Sequence, residues 1–273
     1  MKYAEPLYTS AKKPMRVLAM VSEDTSLITK VLKRRETVTH SSFEVVGIYG
    51  DSQHLEIRPE LFGDRDISVI MRDIHNFYSA QGVDSLNYFQ NPGLRAKYDS
   101  FLAAQIQALD IDFLAFMGYP HFVTASGMLG RNGVNIHHGD LRVLDESGNR
   151  KYAGTRTGIG RMLHDGKTEV YSTARLIHPS KPDMGDILAM SCPVAIPDYT
   201  LNLDLQLESD VRSHSDSELT ATLHSRLREN ADADLVIHTL DLIARRKFMQ
   251  KDGKLLFEGC EIPDGIDITQ YSG

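Results

Sequence analysis

Short apolar runs alternate with stretches in which apolar residues recur every three or four positions, and that rhythm predicts an α/β chain. Met15 to Met20 reads as a buried strand, with Val17, Leu18 and Met20 in one run after a polar leader. Asp24, Thr25 and Ser26 offer helix N-caps, and Ile28, Val31 and Leu32 follow at helical spacing. Phe43 to Tyr49 is a second strand, closed by Gly50-Asp51. Strand, helix and strand in that order open a parallel sheet. Weaker signals predict a short strand over Ile67 to Met71 and a short helix over Asp73 to Ala80. Leu94, Tyr98, Phe101, Leu102, Ile106 and Leu109 then form one apolar stripe. Phe113 to Met117 is a wholly buried strand delivering Gly118-Tyr119-Pro120.

The second half is less regular. A polar loop from Gly139 to Gly160, read as a hairpin excursion or a lid, leads into a helix near Ile159 to His164, and Thr168 to His178 alternates as a strand. Pro179 to Gly185 is turn-rich, and its two prolines and glycine hold Asp183 in a defined loop. Ser215-x-x-Glu218 reads as a capping box. Beyond it Leu219, Leu223 and Leu227 line one helical face, and Val236, Leu240 and Ile243 another. Lys254 to Phe257 reads as a strand and Ile262 to Gly265 as a turn. The economical organisation is a leader over 1–14, an α/β core over 15–200, and a helical and β extension of the same domain over 201–273.

Composition narrows the class. At 273 residues, 41% hydrophobic and 25% charged, the chain has the make-up of a soluble globular protein with a substantial core. A net charge of -7 argues against broad nucleic-acid binding, which needs phosphate neutralised. Cys192 and Cys260 show no Cys-x-x-Cys spacing and read as reduced thiols. With no secretory h-region and no apolar run of about 18 residues, the expectation is a cytoplasmic protein with no membrane partner.

The stretch Val134-Asn-Ile-His-His-Gly-Asp140 carries the candidate chemistry. In an extended strand Val134 and Ile136 share the core face, while Asn135 and His137 stand side by side on the other. An amide donor beside an imidazole suits developing negative charge. The first strand-to-helix connection, Val21-Ser22-Glu23-Asp24-Thr25, has no glycine and two carboxylates. Those carboxylates suit the helix dipole and repel phosphate, so a dinucleotide loop is excluded there.

The order Gly118-Tyr119, Asn135-Ile136-His137 and Asp183-Met184-Gly185-Asp186-Ile187-Leu188 resembles the folate-dependent formyltransferases, especially the glycinamide ribonucleotide branch. The similarity runs from about Met15 to about Ile266, including the closing pattern from Leu256 to Gly265. It implies a Rossmann-like, mostly parallel sheet flanked by helices, with 10-formyltetrahydrofolate as formyl donor and a small-molecule amine as acceptor. It further implies a catalytic triad of Asn135, His137 and Asp183. Asn135 and a protonated His137 would donate to the oxygen of the tetrahedral intermediate, at about 2.7–4 kcal/mol for each such donor. Asp183 would orient His137 or relay the amine's proton through water. The resemblance also places the pterin against Pro120, His121, Phe122 and Val123 on one wall, with Pro182 and Met184 on the other.

There are departures. The family's Gly-rich phosphate loop has no match over Val21 to Thr25, and its usual proline after the histidine is His138. The expected acceptor is therefore a different amine, a sugar nucleotide or an amino-acid derivative. Hydrolysis of 10-formyltetrahydrofolate, as in the deformylases, is one alternative, although those enzymes carry an N-terminal regulatory domain. A folate-binding protein without turnover is another. His121, His137, His138, His164 and His178 lack tight zinc-ligand spacing, and no Gly-x-Ser-x-Gly elbow occurs. A homodimer is the working assumption for assembly.

Overall fold

The computed structural model describes residues 3–10, 14–22, 24–36, 42–52, 55, 62, 65–83, 91–121, 123–154, 157–179, 185–196 and 209–271, with backbone only over 209–217. Its elements in chain order begin with β1 (Glu5–Pro6), β2 (Met15–Val21), α1 (Ser26–Glu36), β3 (Phe43–Gly50), β4 (Ser68–Met71) and α2 (Ile74–Ser79). There follow α3 (Pro92–Ala108), β5 (Phe113–Phe116), α4 (Ala125–Met128), β6 (Asn132–His138) and α5 (Gly158–His164). Next come β7 (Glu169–Val170), β8 (Ser172–Leu176), β9 (Ile187–Met190), β10 (Val194–Ala195), α6 (Ser209–Asn230) and α7 (Asp232–Ala244). β11 (Phe248–Lys251), β12 (Lys254–Phe257), β13 (Cys260–Glu261) and β14 (Ile266–Asp267) close the chain. This is the expected α/β fold, a large and mostly parallel sheet flanked by helices. The largest sheet among the described residues has the order β14-β9-β8-β6-β5-β2-β3-β4. No described helix is long and apolar enough to cross a membrane.

The chain divides into two compact units, residues 1–135, 176–185 and 240–261, and residues 136–175, 186–239 and 262–273. In the first unit β2 pairs in parallel with β3 and β5, so the chain leaves the sheet's centre in both directions. The α3 stripe does what its spacing predicts. Leu102 and Ile106 are 1% and 0% exposed and pack with Leu18 and Met20 of β2, Tyr49 of β3 and Leu114 and Phe116 of β5. Asn91 caps α3 by accepting from the Leu94 N–H, and Pro92 begins the helix, where its missing N–H costs nothing. Asp73 caps α2 in the same way, through the Asn76 N–H.

In the second unit β8 runs antiparallel to β9, and β9 pairs in parallel with β14. Leu223 and Leu227 of α6 pack on Tyr152, Ile159, Met162 and Val170. Two local expectations are corrected. The strand predicted over Thr168 to His178 is two strands, because Val170 pairs with Val194 of β10 while Ser172 onward pairs with β9. Between them the Tyr171 carbonyl accepts the Gly139 N–H instead. The capping box at Ser215 does not start a helix, since α6 already runs from Ser209. The loop after Gly139 is a hairpin excursion: Leu144 bridges Arg150, and Asp145 takes the tip's N–H groups from Ser147 and Asn149.

Candidate functional site

Asn135 and His137 both lie on β6, as predicted, but the strand end is more enclosed than an alternation of core and solvent faces suggests. Val134 is 1% exposed, Ile136 and Asn135 are half-buried, and His137 is only 3% exposed. Parallel strands in α/β folds are covered on both faces, so neither face of β6 is a solvent face.

The seat of His137 is built from backbone. Its Nε2 lies 3.0 Å from the Tyr152 carbonyl oxygen, which can only accept, so Nε2 carries a proton and donates it there. Two glycines make this contact sterically feasible. A Cβ on Gly139 would stand 2.8 Å from the Tyr152 oxygen and 3.2 Å from His137 Nε2. One on Gly158 would stand 2.5 Å from the same oxygen. Tyr152 is itself anchored: its hydroxyl donates to Asp165 at 2.8 Å, and Lys151 closes on that carboxylate at 2.6 Å. Burial and the Asp165 contact push the Tyr152 hydroxyl up to about 12, so it stays a donor. Asp140, two residues past His138, is chelated by Arg142 through Nε and Nη2 at 2.8 and 2.7 Å.

Beside His137, His138 enters a chain of buried and half-buried polar groups that sequence reasoning missed. Its Nε2 donates to Asp232 at 2.7 Å, and its Nδ1 meets the His224 Nδ1. The other Asp232 oxygen accepts from the Ser172 hydroxyl. Burial works against the Asp232 charge. The His138 charge, the hydrogen bonds from His138 and Ser172, and Arg228 outweigh it, holding the carboxyl below its ordinary value. His224 is driven the other way for an imidazole: burial, then the charges of His138 and Arg228, push it down to about 4.

That depression fixes a pH window. Because the unfolded chain binds this proton near 6.5 and the folded chain only near 4, acidification between those values favours unfolding. Above 6.5 His224 contributes nothing to the pH dependence. The depressed Asp232 gives up its contribution only below the ordinary carboxylate range. With solvent screening at a partly exposed ring, the loss is roughly 1–2 kcal/mol. Melting curves at pH 7 and pH 5 test this: wild type should lose more on acidification than His224→Gln, and equal losses would overturn it.

In the first unit the segment after β5 is tied at both ends to α3. Arg95 and Asp99 form a buried ion pair at 2.9 Å. Arg95 reaches the Tyr119 hydroxyl at 3.5 Å, while Asp99 accepts from both the N–H and the hydroxyl of Thr124 at 2.7 Å. Between those ties lie four of the predicted pterin-wall residues, three of them among the described residues. Pro120 is exposed, His121 pairs through Nε2 with the buried Asp51 at 2.9 Å, and the Val123 side chain is in the core. Phe122, Pro182, Asp183 and Met184 lie outside the described residues. The end of their loop is described: Gly185 lies so close to the Leu176 carbonyl that a Cβ would stand 1.6 Å from its oxygen.

Neither a protein-family profile nor a curated protein matches the sequence. Solved structures do match in fold. A phosphoribosylglycinamide formyltransferase from Coxiella burnetii, 14% identical, superimposes with a TM-score of 0.61 over 93% of this chain and 99% of that one. A glycinamide ribonucleotide transformylase from Symbiobacterium toebii, 15% identical, gives 0.58 over 89% and 93%. A formyltetrahydrofolate deformylase from Pseudomonas putida, 16% identical, gives 0.58 over 91% of this chain and 71% of that one. At these identities the likeness concerns the backbone, and it agrees with the resemblance read from the order of motifs: the chain has the formyltransferase fold.

Proposed function

We propose that the chain transfers a formyl group from 10-formyltetrahydrofolate to the amine of a small molecule. The observation that carries this reading is the seat of His137, a buried imidazole at the end of a parallel strand on a formyltransferase fold, its Nε2 proton committed to a backbone carbonyl. That commitment assigns Nδ1 to the reacting group. With Nδ1 also protonated, His137 donates to the former formyl oxygen as it becomes negative, beside the Asn135 amide. Asp183 favours the charged form of His137 or relays through water the proton that the acceptor nitrogen sheds. The donor, when bound, supplies an activated formyl group; the acceptor nitrogen gains it and loses one proton, and the donor nitrogen takes one up.

Pro120, His121, Phe122 and Val123, with Pro182 and Met184, would hold the pterin. The exposure of Pro120 and the inward turn of Val123 suit a wall made from main chain. The acceptor is an amine not anchored by phosphate at the first strand-to-helix loop, where Asp24 stands and glycine is absent. Incubating the protein with the donor and a panel of amines, followed by mass spectrometry, tests the reading. A formylated amine is expected, and Asn135→Ala should lower kcat by about 10²–10³-fold with little change in donor KM. Full turnover in Asn135→Ala would count against the assigned role.

The deformylase fold fits this backbone about as well as the transformylases do, with TM-scores of 0.58 against 0.58 and 0.61. That match supports hydrolysis as a second reading. Tetrahydrofolate appearing at an undiminished rate with no amine present would select it.

A further inference from the structure

We propose that Ser172, Asp232, His138 and His224 form a positioning device for His137: the chain pins the end of β6 from the face opposite that histidine and sets one buried negative charge behind it. The inference rests on the reading of His137 as the reacting imidazole.

Geometry comes first. Successive side chains on a strand point to opposite faces, so His137 and His138 leave β6 in opposite directions. His137 is held on its face by the Tyr152 carbonyl, and His138 on the other by Asp232 and His224. The anchors come from three elements: Ser172 of β8, His224 of α6, and Asp232 in the first turn of α7, where a carboxylate also suits the helix dipole. Two ring nitrogens can meet only if one proton lies between them. Since His138 Nε2–H is committed to the carboxylate, either His224 donates to a neutral His138, or a cationic His138 donates to a neutral His224. Both arrangements keep the rings in place.

Electrostatics follow. A buried imidazolium at His137 needs a compensating charge. Of the described carboxylates around Tyr152 and the strand end, Asp140 is chelated by Arg142 and Asp165 is closed by Lys151. Among the described residues, Asp232 is met at hydrogen-bond range by His138 and Ser172, with Arg228 as a further positive charge. The contacts in this chain join His138 from β6, Ser172 from β8, His224 from α6 and Asp232 from α7, and the charges of His137 and Arg228 act on it through space.

The test reads His137 directly. Imidazole ¹⁵N NMR titration of the whole protein should show His137 protonating at lower pH in Asp232→Asn, by about half a unit or more. In the enzyme assay the basic limb of the kcat profile should move the same way, with donor KM little changed. His224→Gln, which can still hydrogen-bond His138, should keep the wild-type titration, whereas His224→Leu should broaden or shift it. If Asp232→Asn does not fold, the two His224 variants decide alone. An unmoved His137 titration in folded Asp232→Asn, or identical behaviour of Gln and Leu at position 224, overturns the proposal. Because the NMR readout needs no turnover, a shifted titration with no formyl transfer to any amine would sink the functional reading and leave the device standing.

Discussion

His137→Gln is expected to fold with near wild-type stability and to lose about 10³-fold or more in kcat, whereas His137→Asn should show the reverse emphasis. A glutamine amide reaches the position of Nε2 and can still donate to the Tyr152 carbonyl, 3.0 Å from that atom in the native ring. It offers nothing at the position of Nδ1. Asparagine is shorter: its amide occupies the place of Nδ1 and leaves the Tyr152 oxygen unpaired among buried groups, at a cost of about 1–3 kcal/mol. A neutral donor remains at the reacting position, so its rate should fall less, by about 10²-fold. Melting temperature and kcat measured on both variants separate the two nitrogens. Equal rate losses with equal stabilities would show that the Nε2–carbonyl contact does not decide which nitrogen works.

That prediction depends on features of different legibility. The central strands and α3 were readable because their signals are local: a run of four or five apolar residues is a covered strand wherever it stands, and a three-to-four spacing buries one helix face. Asn135 and His137 were readable for the same reason, through position on a strand end. What encloses them was not. The Tyr152 carbonyl that receives His137 is fifteen residues away in a polar hairpin excursion, and a backbone acceptor leaves no mark in the sequence. The close packing there shows only in the structure, where a side chain at Gly139 or Gly158 would overlap the Tyr152 oxygen. The partners of His138 lie 86 and 94 residues on, beyond any local spacing rule.

The two local errors have a common origin. Ser-x-x-Glu marks a helix start only when the chain before it is not helical, and the pattern cannot report that α6 is already under way from Ser209. Alternation from Thr168 to His178 likewise says nothing about partners. Val170 and Ser172 belong to different pairings, so the strand breaks at Tyr171. By contrast, Arg95 and Asp99 were within reach of sequence reasoning as an i,i+4 ionic pair on a helix. Their complete burial is what makes them supports for the segment from Tyr119 to Thr124 rather than surface charges.

Gly185→Ala should be among the most damaging substitutions in the chain, although it adds only one methyl group. The added Cβ would stand 1.6 Å from the Leu176 oxygen, 2.6 Å from its carbonyl carbon and 3.4 Å from its Cα. All three are backbone atoms, so no rotamer change relieves the overlap. Leu176 ends β8, and the next residue, Ile177, donates its N–H to the Gly133 carbonyl at 2.7 Å. Moving Leu176 away therefore strains that tie to β6. Overpacking into side chains costs about 1–3 kcal/mol, and an unyielding backbone puts the cost at about 3 kcal/mol or more. The expected drop in melting temperature is about 6–12 °C, and on the proposed function turnover should fall even below the transition. Gly148→Ala is the matched control. That glycine has φ +78 with nothing within 4 Å of an added Cβ, so only the conformational penalty of about 1 kcal/mol applies and turnover should persist. Were Gly185→Ala no worse than Gly148→Ala in both melting and turnover, the close approach of Gly185 to the Leu176 backbone would not be what the chain depends on there.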